Sequence, residues 1–256
     1  MSGTSFFSLQ DHTALIIGGT DGIGLAVAKR FIQAGASVVI AGRRDGDAIA
    51  DRVGAMFIRC DASVEVQQSA MFDEAERRLG KLSIVINNAG VENGGSTIED
   101  QAAEELDRIL GINLKGVYFG LKYAPRHMRD GGAIINTSSA AGLLGLYSYG
   151  QYAMTKAAVI SLTKTAAIEL AARGIRVNAV CPGGVRTAML PEGHPEIAVM
   201  EVLTPLGRVA ETDEVVGLYH FLASDDSRFI TGQAIVIDGG VTTGPSVAVL
   251  ERCLPA

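Results

Sequence analysis

The chain has little with which to build a disulfide framework or a metal centre. Its three cysteines (Cys60, Cys181, Cys253) are scattered, odd in number and without ligand spacing, so they read as reduced intracellular thiols. The four histidines (His12, His127, His194, His220) are equally dispersed, none standing with a cysteine or carboxylate at ligand spacing, and no metal is expected. No apolar run approaches the length of a membrane span. Residues 1–10 carry neither a basic start nor a long apolar stretch, so no secretory signal is expected and a cytoplasmic protein is the default. Positive charge is in deficit: 22 Lys and Arg stand against 28 Asp and Glu, a net charge of −6. That balance argues against a nucleic-acid surface.

What is present is apolar and regular. Hydrophobic residues make up 48% of 256 and charged residues 20%, enough for a substantial core in one α/β domain over 1–256. Short apolar runs at 14–17, 38–41, 55–58, 84–86, 133–135, 177–180 and 234–237 suit strands covered on both faces. Helical patterns over 22–34, 64–79, 102–128, 150–173 and 212–224 lie between them. Strand then helix, repeated, predicts a doubly wound, Rossmann-type sheet of about seven parallel strands with helices on both faces. The interval 182–208 is polar and proline-interrupted, and its length suggests a loop over a binding site.

The first strand runs into Gly18-Gly19-Thr20-Asp21-Gly22-Ile23-Gly24 and then a helix. Gly18 permits a tight turn, Gly22 lets backbone approach a pyrophosphate, and Gly24 allows close helix–strand packing. The helix start offers unpaired N–H groups to phosphate. After the second strand comes Gly42-Arg43-Arg44. An acidic residue there would hold a ribose 2′-hydroxyl, whereas two guanidinium groups suit a 2′-phosphate and favour NADP(H) over NAD(H). Asp21, Asp45 and Asp47 add negative charge nearby. Asp61, beside Ala62 after the third strand, is placed either to meet an adenine amino group or to cap the next helix. Asn87-Asn88-Ala89-Gly90 closes the fourth strand, where its amides fix backbone around a cofactor or make a plain turn.

Ser139, Tyr152 and Lys156 form the second constellation. Within a helix over 150–173, Tyr152 and Lys156 share one face. A phenol ionises near pH ~10. An ammonium one turn away should favour the phenolate and bring the group toward its working range.

Together Gly-x-x-x-Gly-Ile-Gly, Asn-Asn-Ala-Gly, Asn113, Ser139, Tyr152-x-x-x-Lys156 and Pro182-Gly183 give a chain that resembles the short-chain dehydrogenases/reductases over roughly 13–240. It is similar to the short single-domain branch; the close Tyr–Lys spacing sets it apart from the enoyl-reductase branch. The resemblance implies that Tyr152 is the general acid or base, and that Lys156 holds the nicotinamide ribose and lowers the Tyr152 pKa. It implies that Ser139 hydrogen-bonds the substrate oxygen and that Asn113 bends its helix and helps hold a water. Pro182, Gly183, Val185 and Thr187 would border the nicotinamide, Thr187 being alternatively a helix cap. Ile17, Asp21 and Tyr147 depart from the common pattern, in which threonine, a basic residue in NADP-specific relatives, and proline stand there.

The expected substrate wall includes Ala141, Leu144, Tyr149, Gly184, Met189 and Leu190 beside Ser139 and Tyr152. With Ala140, Leu143, Val91 and Glu92 it is mostly apolar and suits a hydrophobic ketone or secondary alcohol. His194 is expected as a loop residue. A carbonyl reductase or alcohol dehydrogenase is the leading reading. A 3-oxoacyl-carrier-protein reductase is the alternative, disfavoured by net acidity and the mixed loop at 127–131. A non-enzymatic dinucleotide sensor is the remote one. Apolar helix faces and the strand at 234–237 suggest a homotetramer, and the hydrophobic tail 244–256 an element folded over a neighbouring subunit.

Overall fold

The structure is a computed structural model, and it describes residues 7–253. Seven strands form one parallel sheet: β1 (Thr13–Ile17), β2 (Ser37–Gly42), β3 (Met56–Arg59), β4 (Leu82–Asn87), β5 (Met128–Thr137), β6 (Arg176–Pro182) and β7 (Ala234–Ile237). Their order is β3-β2-β1-β4-β5-β6-β7, so the winding reverses between β1 and β4. All seven expected strands are present. Of the segment 127–131, expected as a loop, His127 ends the preceding helix and 128–131 open β5, whose pairing with β4 shifts between Leu82 and Ile84.

Alternate residues feed two cores, as the two-residue period of a strand requires. Ile16, Ile40, Ile84 and Ile86 pack on one face with Phe31 and Tyr219, and Leu15, Val39 and Val85 on the other with Met71 and Phe72. Phe31, Phe72 and Tyr219 are fully buried, each worth roughly 2–3 kcal/mol of apolar burial.

The helices are α1 (Gly22–Gln33), α2 (Asp47–Val53), α3 (Glu65–Leu79), α4 (Ala103–Ile109), α5 (Gly116–His127), α6 (Gly150–Leu170), α7 (Glu196–Leu203), α8 (Thr212–Ala223) and α9 (Val247–Cys253). The stretch expected as one helix over 102–128 is broken by a π-helical segment, Leu110–Lys115. Its cause is the buried Asn113, whose amide donates to Val91 O and accepts from Val91 N, both at 2.8 Å. Pulling this side chain onto the β4 loop widens the backbone, the kind of insertion that recurs at functional sites.

The interval 182–208 is not wholly irregular, since it holds α7. The described part of the tail folds back on the same chain: Ser246 Oγ donates to Val202 O, and α9 packs on α7. Residues 254–256 of that tail lie outside the described residues. Among the described residues no helix is long and apolar enough to cross a membrane.

Candidate active site

A cleft of about 690 Å³ runs along the carboxyl ends of the strands, across the point where the winding reverses. Open parallel sheets place their ligands there. Its first half is the glycine turn. Gly18 has φ +82°, and a Cβ on it would stand 2.6 Å from Ala89 N. A Cβ at Gly24 would meet Gly18 O at 2.1 Å. Only glycines let the turn close this tightly, and what remains in front of it is a backbone-lined groove. Gly22 adopts φ +50° beneath Thr187, so the turn after β1 and the segment after β6 face one another across the cleft. The Asp21 carboxylate accepts from Gly22 N at 2.7 Å and caps α1.

Asn88 secures this half. Its amide donates to Gly18 O at 3.0 Å and accepts from Thr137 Oγ1 at 3.0 Å. Thr137 in turn pairs with the buried Tyr219 hydroxyl at 2.9 Å, so the turn is anchored through three side chains to the core. Arg43 and Arg44 are exposed at the cleft's far end. The Asp45 carboxylate is engaged by Asp47 N at 3.1 Å, and among the described residues neither arginine has a carboxylate partner within 4.0 Å. Asp61 lines the cleft and binds Ser63 through N–H and hydroxyl, at 3.0 and 2.7 Å; its side chain shapes the turn before α3. The glycine cradle, the helix start and the two free guanidinium groups fit a phosphorylated dinucleotide.

The second half gathers Ser139, Tyr152 and Lys156. Ser138 is engaged elsewhere, donating to Lys156 O at 2.8 Å, while Ser139 faces the cleft. Lys156 Nζ donates to Thr137 O at 3.0 Å and stands 5.5 Å from the centre of the Tyr152 ring. Asn113 and Lys156 both close on Gly90: a Cβ there would be 3.3 Å from Lys156 Nζ and 3.5 Å from Asn113 Oδ1. Gly24 and Asn113 stand behind the wall and Leu143 lies off it; the other site residues predicted from the sequence line the cleft.

The electrostatics differ from expectation. Burial pushes the Tyr152 phenol up to about 12, with the Ser139 hydroxyl pulling it back and the Glu92 charge adding to the rise. Burial pushes Lys156 down to about 8. The ammonium does not draw the phenol into the neutral range here, because it lies by the ring and is directed at a carbonyl.

The substrate end is also more polar than expected. Leu143 is off the cleft and exposed, whereas Glu196, Arg108, Met200 and Leu203 join the wall. Tyr149 lies on the wall, its ring 6.2 Å from that of Tyr152, and its hydroxyl donates to Glu196 Oε2 at 2.5 Å. Tyr147 is exposed. His194 does not line the cleft; its Nδ1 accepts from Glu196 N at 3.3 Å at the start of α7. Arg108 comes from α4; the other additions come from α7, whose apolar residues Ile197, Met200 and Leu203 follow Pro195-Glu196 at helical spacing. That spacing was the signal available in the sequence. Among the described residues no group of three or more His, Cys, Asp or Glu side chains is placed to hold a metal ion.

Fold and cleft define a class: a Rossmann-type α/β protein with a dinucleotide cradle beside a Ser–Tyr–Lys centre. A family model described as enoyl-(acyl carrier protein) reductase matches residues 18–242. The NADP-dependent (R)-specific alcohol dehydrogenase of Lentilactobacillus kefiri is 38% identical over 247 residues, covering 91% of this chain and 98% of that one. The 3-alpha-(or 20-beta)-hydroxysteroid dehydrogenase of Mycobacterium tuberculosis is 40% identical over 242 residues, covering 92% and 91%. A crystal structure of a short-chain type dehydrogenase/reductase from Mycobacterium marinum superposes with TM-score 0.88 at 37% identity, covering 93% and 98%. The chain belongs to the short-chain dehydrogenase/reductase family, whose members use NAD(P), and it is an oxidoreductase of that family.

Proposed function

We propose that this protein interconverts a ketone and a secondary alcohol, as a carbonyl reductase or alcohol dehydrogenase of small molecules, with NADP(H) preferred over NAD(H). The observation that carries the reading is the meeting of Ser139, Tyr152 and Lys156 on one cleft with the glycine cradle. When bound, the nicotinamide supplies hydride to the carbonyl carbon or takes it from the alcohol.

The chain's own residues do the rest. Tyr152 gives the proton to the carbonyl oxygen in reduction and takes it back in oxidation. Its raised pKa makes it a firm proton holder at neutral pH, suited to the reductive direction. Ser139 donates to the same oxygen as charge develops there. Lys156, still cationic at neutral pH with a pKa near 8, is placed to bind the ribose hydroxyls and to stabilise the phenolate. Asn113 fixes the Val91 backbone beside it. Gly18, Thr20, Asp21, Gly22 and Ile23 would hold the pyrophosphate, with Asp61 and Ala62 at the adenine. Asn88, Ala89, Gly90, Pro182, Gly183, Val185 and Thr187 would flank the nicotinamide half.

Support for NADP(H) comes from the free Arg43 and Arg44 guanidinium groups, and from the L. kefiri relative, whose name states NADP dependence. The four-residue Tyr–Lys spacing and the relatives' names favour carbonyl over enoyl reduction. A carrier-protein-bound 3-oxoacyl substrate is the second reading; the description of the matching family model supports the carrier protein, while naming enoyl reduction. The same proposal includes a cytoplasmic, homotetrameric protein. Support for the assembly is β7 at the sheet edge and the exposed Phe229, Ile168 and Tyr118, apolar side chains that a neighbouring subunit would cover. Light scattering that returns a concentration-independent monomer refutes the assembly.

The function is tested by initial rates of nicotinamide absorbance change with NADPH and NADH against aromatic, aliphatic and cyclic ketones. Turnover with NADPH is expected. Turnover mainly with NADH reverses the cofactor preference, and no turnover in cofactor-binding protein moves the reading to a carrier-bound substrate or a sensor.

A further inference from the structure

We propose that Glu92 is a specificity-determining residue of the cleft, selecting ketones and secondary alcohols that carry a hydrogen-bond-donating group, hydroxyl or ammonium, beside the reacting carbon, and turning away keto acids. The inference rests on the ketone–alcohol reading above and names its substrate class.

Four observations carry it. First, Glu92 follows the Asn88-Ala89-Gly90 turn at the end of β4 and lines the substrate end of the cleft with Tyr149, Tyr152 and Glu196. Second, its backbone is held. Val91 is clamped through both N–H and C=O by the buried Asn113, and Glu92 O accepts from Arg108 Nη2 at 3.4 Å. A side chain mounted on so fixed a loop presents its carboxylate at a defined place. Third, among the described residues that carboxylate has no cation. Arg108, which reaches the loop, spends its guanidinium on Glu105 at 2.7 and 2.5 Å. Among the described residues no ion pair or hydrogen bond engages the Glu92 carboxylate. Fourth, the group is half-buried and sits in the field of Glu196, with His194 the opposing influence. Glu196 is already bound to the Tyr149 hydroxyl. A desolvated, unpaired carboxylate is costly to hold and strongly favours a ligand that brings a donor to it.

Glu92 lines the same end of the cleft as Tyr149 and Tyr152, whose ring centres are 6.2 Å apart, so carboxylate and proton donor face one region; the Glu92 charge accordingly adds to the rise of both phenols. A substrate whose carbonyl oxygen meets Tyr152 therefore brings its neighbouring substituent, not a remote one, toward Glu92. A hydroxyl or ammonium there pairs with the carboxylate; a carboxylate there meets like charge from Glu92 and Glu196.

The test compares three ketones of nearly equal shape: 2-hydroxyacetophenone, propiophenone and benzoylformate. The ratio of kcat/KM for the hydroxyketone over propiophenone is expected to fall at least about tenfold in Glu92→Leu, and that for benzoylformate over propiophenone to rise by a similar factor in Glu92→Gln. Ratios within each protein cancel the intrinsic reactivity of the carbonyl between variants. A second readout needs no turnover. With NADPH and alcohols that cannot be reduced further, 2-amino-1-phenylethanol should raise the melting temperature more than 1-phenyl-1-propanol does, and Glu92→Leu should erase the difference. Wild-type turnover with ratios and melting shifts indifferent to Glu92 overturns this inference alone. Absence of turnover on all three ketones, in protein that binds cofactor, overturns the ketone–alcohol reading and this inference with it.

Discussion

Lys156 is a buried cation whose position costs the fold stability, and Lys156→Met should expose that cost. The side chain is 3% exposed and its only hydrogen bond in the described structure is to Thr137 O. Burial lowers its pKa from 10.5 to about 8, an interval that corresponds to roughly 3 kcal/mol of penalty on the charged form. Below pH 8 the folded protein carries that charge and the full penalty. Between about 8 and 10.5 the folded state has lost the proton while the unfolded chain keeps it. The unfolded state then binds more protons, so wild-type stability rises with pH across this window. Methionine fills similar volume without charge and forfeits the Thr137 bond, about 1 kcal/mol. The variant should therefore be more stable than wild type by about 2 kcal/mol at pH 7.

At pH 9.5 the penalty on wild type has shrunk to roughly 1 kcal/mol, and the lost hydrogen bond offsets it. The advantage should vanish. Tyr152, held up to about 12, stays protonated in the folded protein throughout, and it is common to both chains. Urea unfolding of the cofactor-free proteins at pH 7.0 and 9.5 reads the difference directly. Turnover should be lost in the variant at both pH values, making this an exchange of stability for function. A variant less stable than wild type at pH 7, or an advantage that does not change with pH, refutes the buried-charge reasoning.

Much of this architecture was legible because parallel strands covered on both faces announce themselves as short, continuous apolar runs. Ser37–Gly42 and Leu82–Asn87 are such cases. The glycine turn was legible for a related reason, since Gly18 and Gly24 occupy places where a Cβ has no room. The break at Leu110–Lys115 was not legible in the apolar periodicity, which runs on through Ile109 and Ile112; only the family resemblance implied a bend at Asn113, and its cause, the grip of Asn113 on Val91, spans 22 positions. The short helices α2 and α7 give few turns, and in α7 the spacing of Ile197, Met200 and Leu203 was the one signal there to be read. Glu196 reaches Tyr149 across 47 positions, beyond any local signal. The Tyr–Lys spacing correctly placed two side chains on one helix face, yet it carried no information on where the ammonium points. That direction, toward Thr137 O, is set by the end of β5 and decides the electrostatics.

Three further perturbations separate the roles of the cleft residues. Tyr152→Phe should lower turnover by about 10²–10⁴-fold while NADPH binding, followed by fluorescence titration, is retained; preserved turnover refutes the proton-donor role. Arg43→Ala should weaken NADPH by about 10–100-fold, the worth of one charge-assisted contact to phosphate, and leave NADH little changed; equal losses show that Arg43 does not read the 2′-phosphate. Gly24→Ala tests the cradle itself. The added methyl would stand 2.1 Å from Gly18 O and 2.6 Å from Asn88 Nδ2, and neither can yield alone, because the two are hydrogen-bonded to each other. Relief requires the turn to move off Asn88, which also holds Thr137 and through it Tyr219. A loss of about 1–3 kcal/mol in stability is expected from overpacking at such a site, together with weaker binding of both cofactors, since the pyrophosphate groove is the part displaced. Gly145→Ala is the control, as nothing lies within 4 Å of a Cβ there. If Gly24→Ala matches Gly145→Ala in melting temperature and cofactor affinity, the close approach of turn and helix is not what shapes the groove.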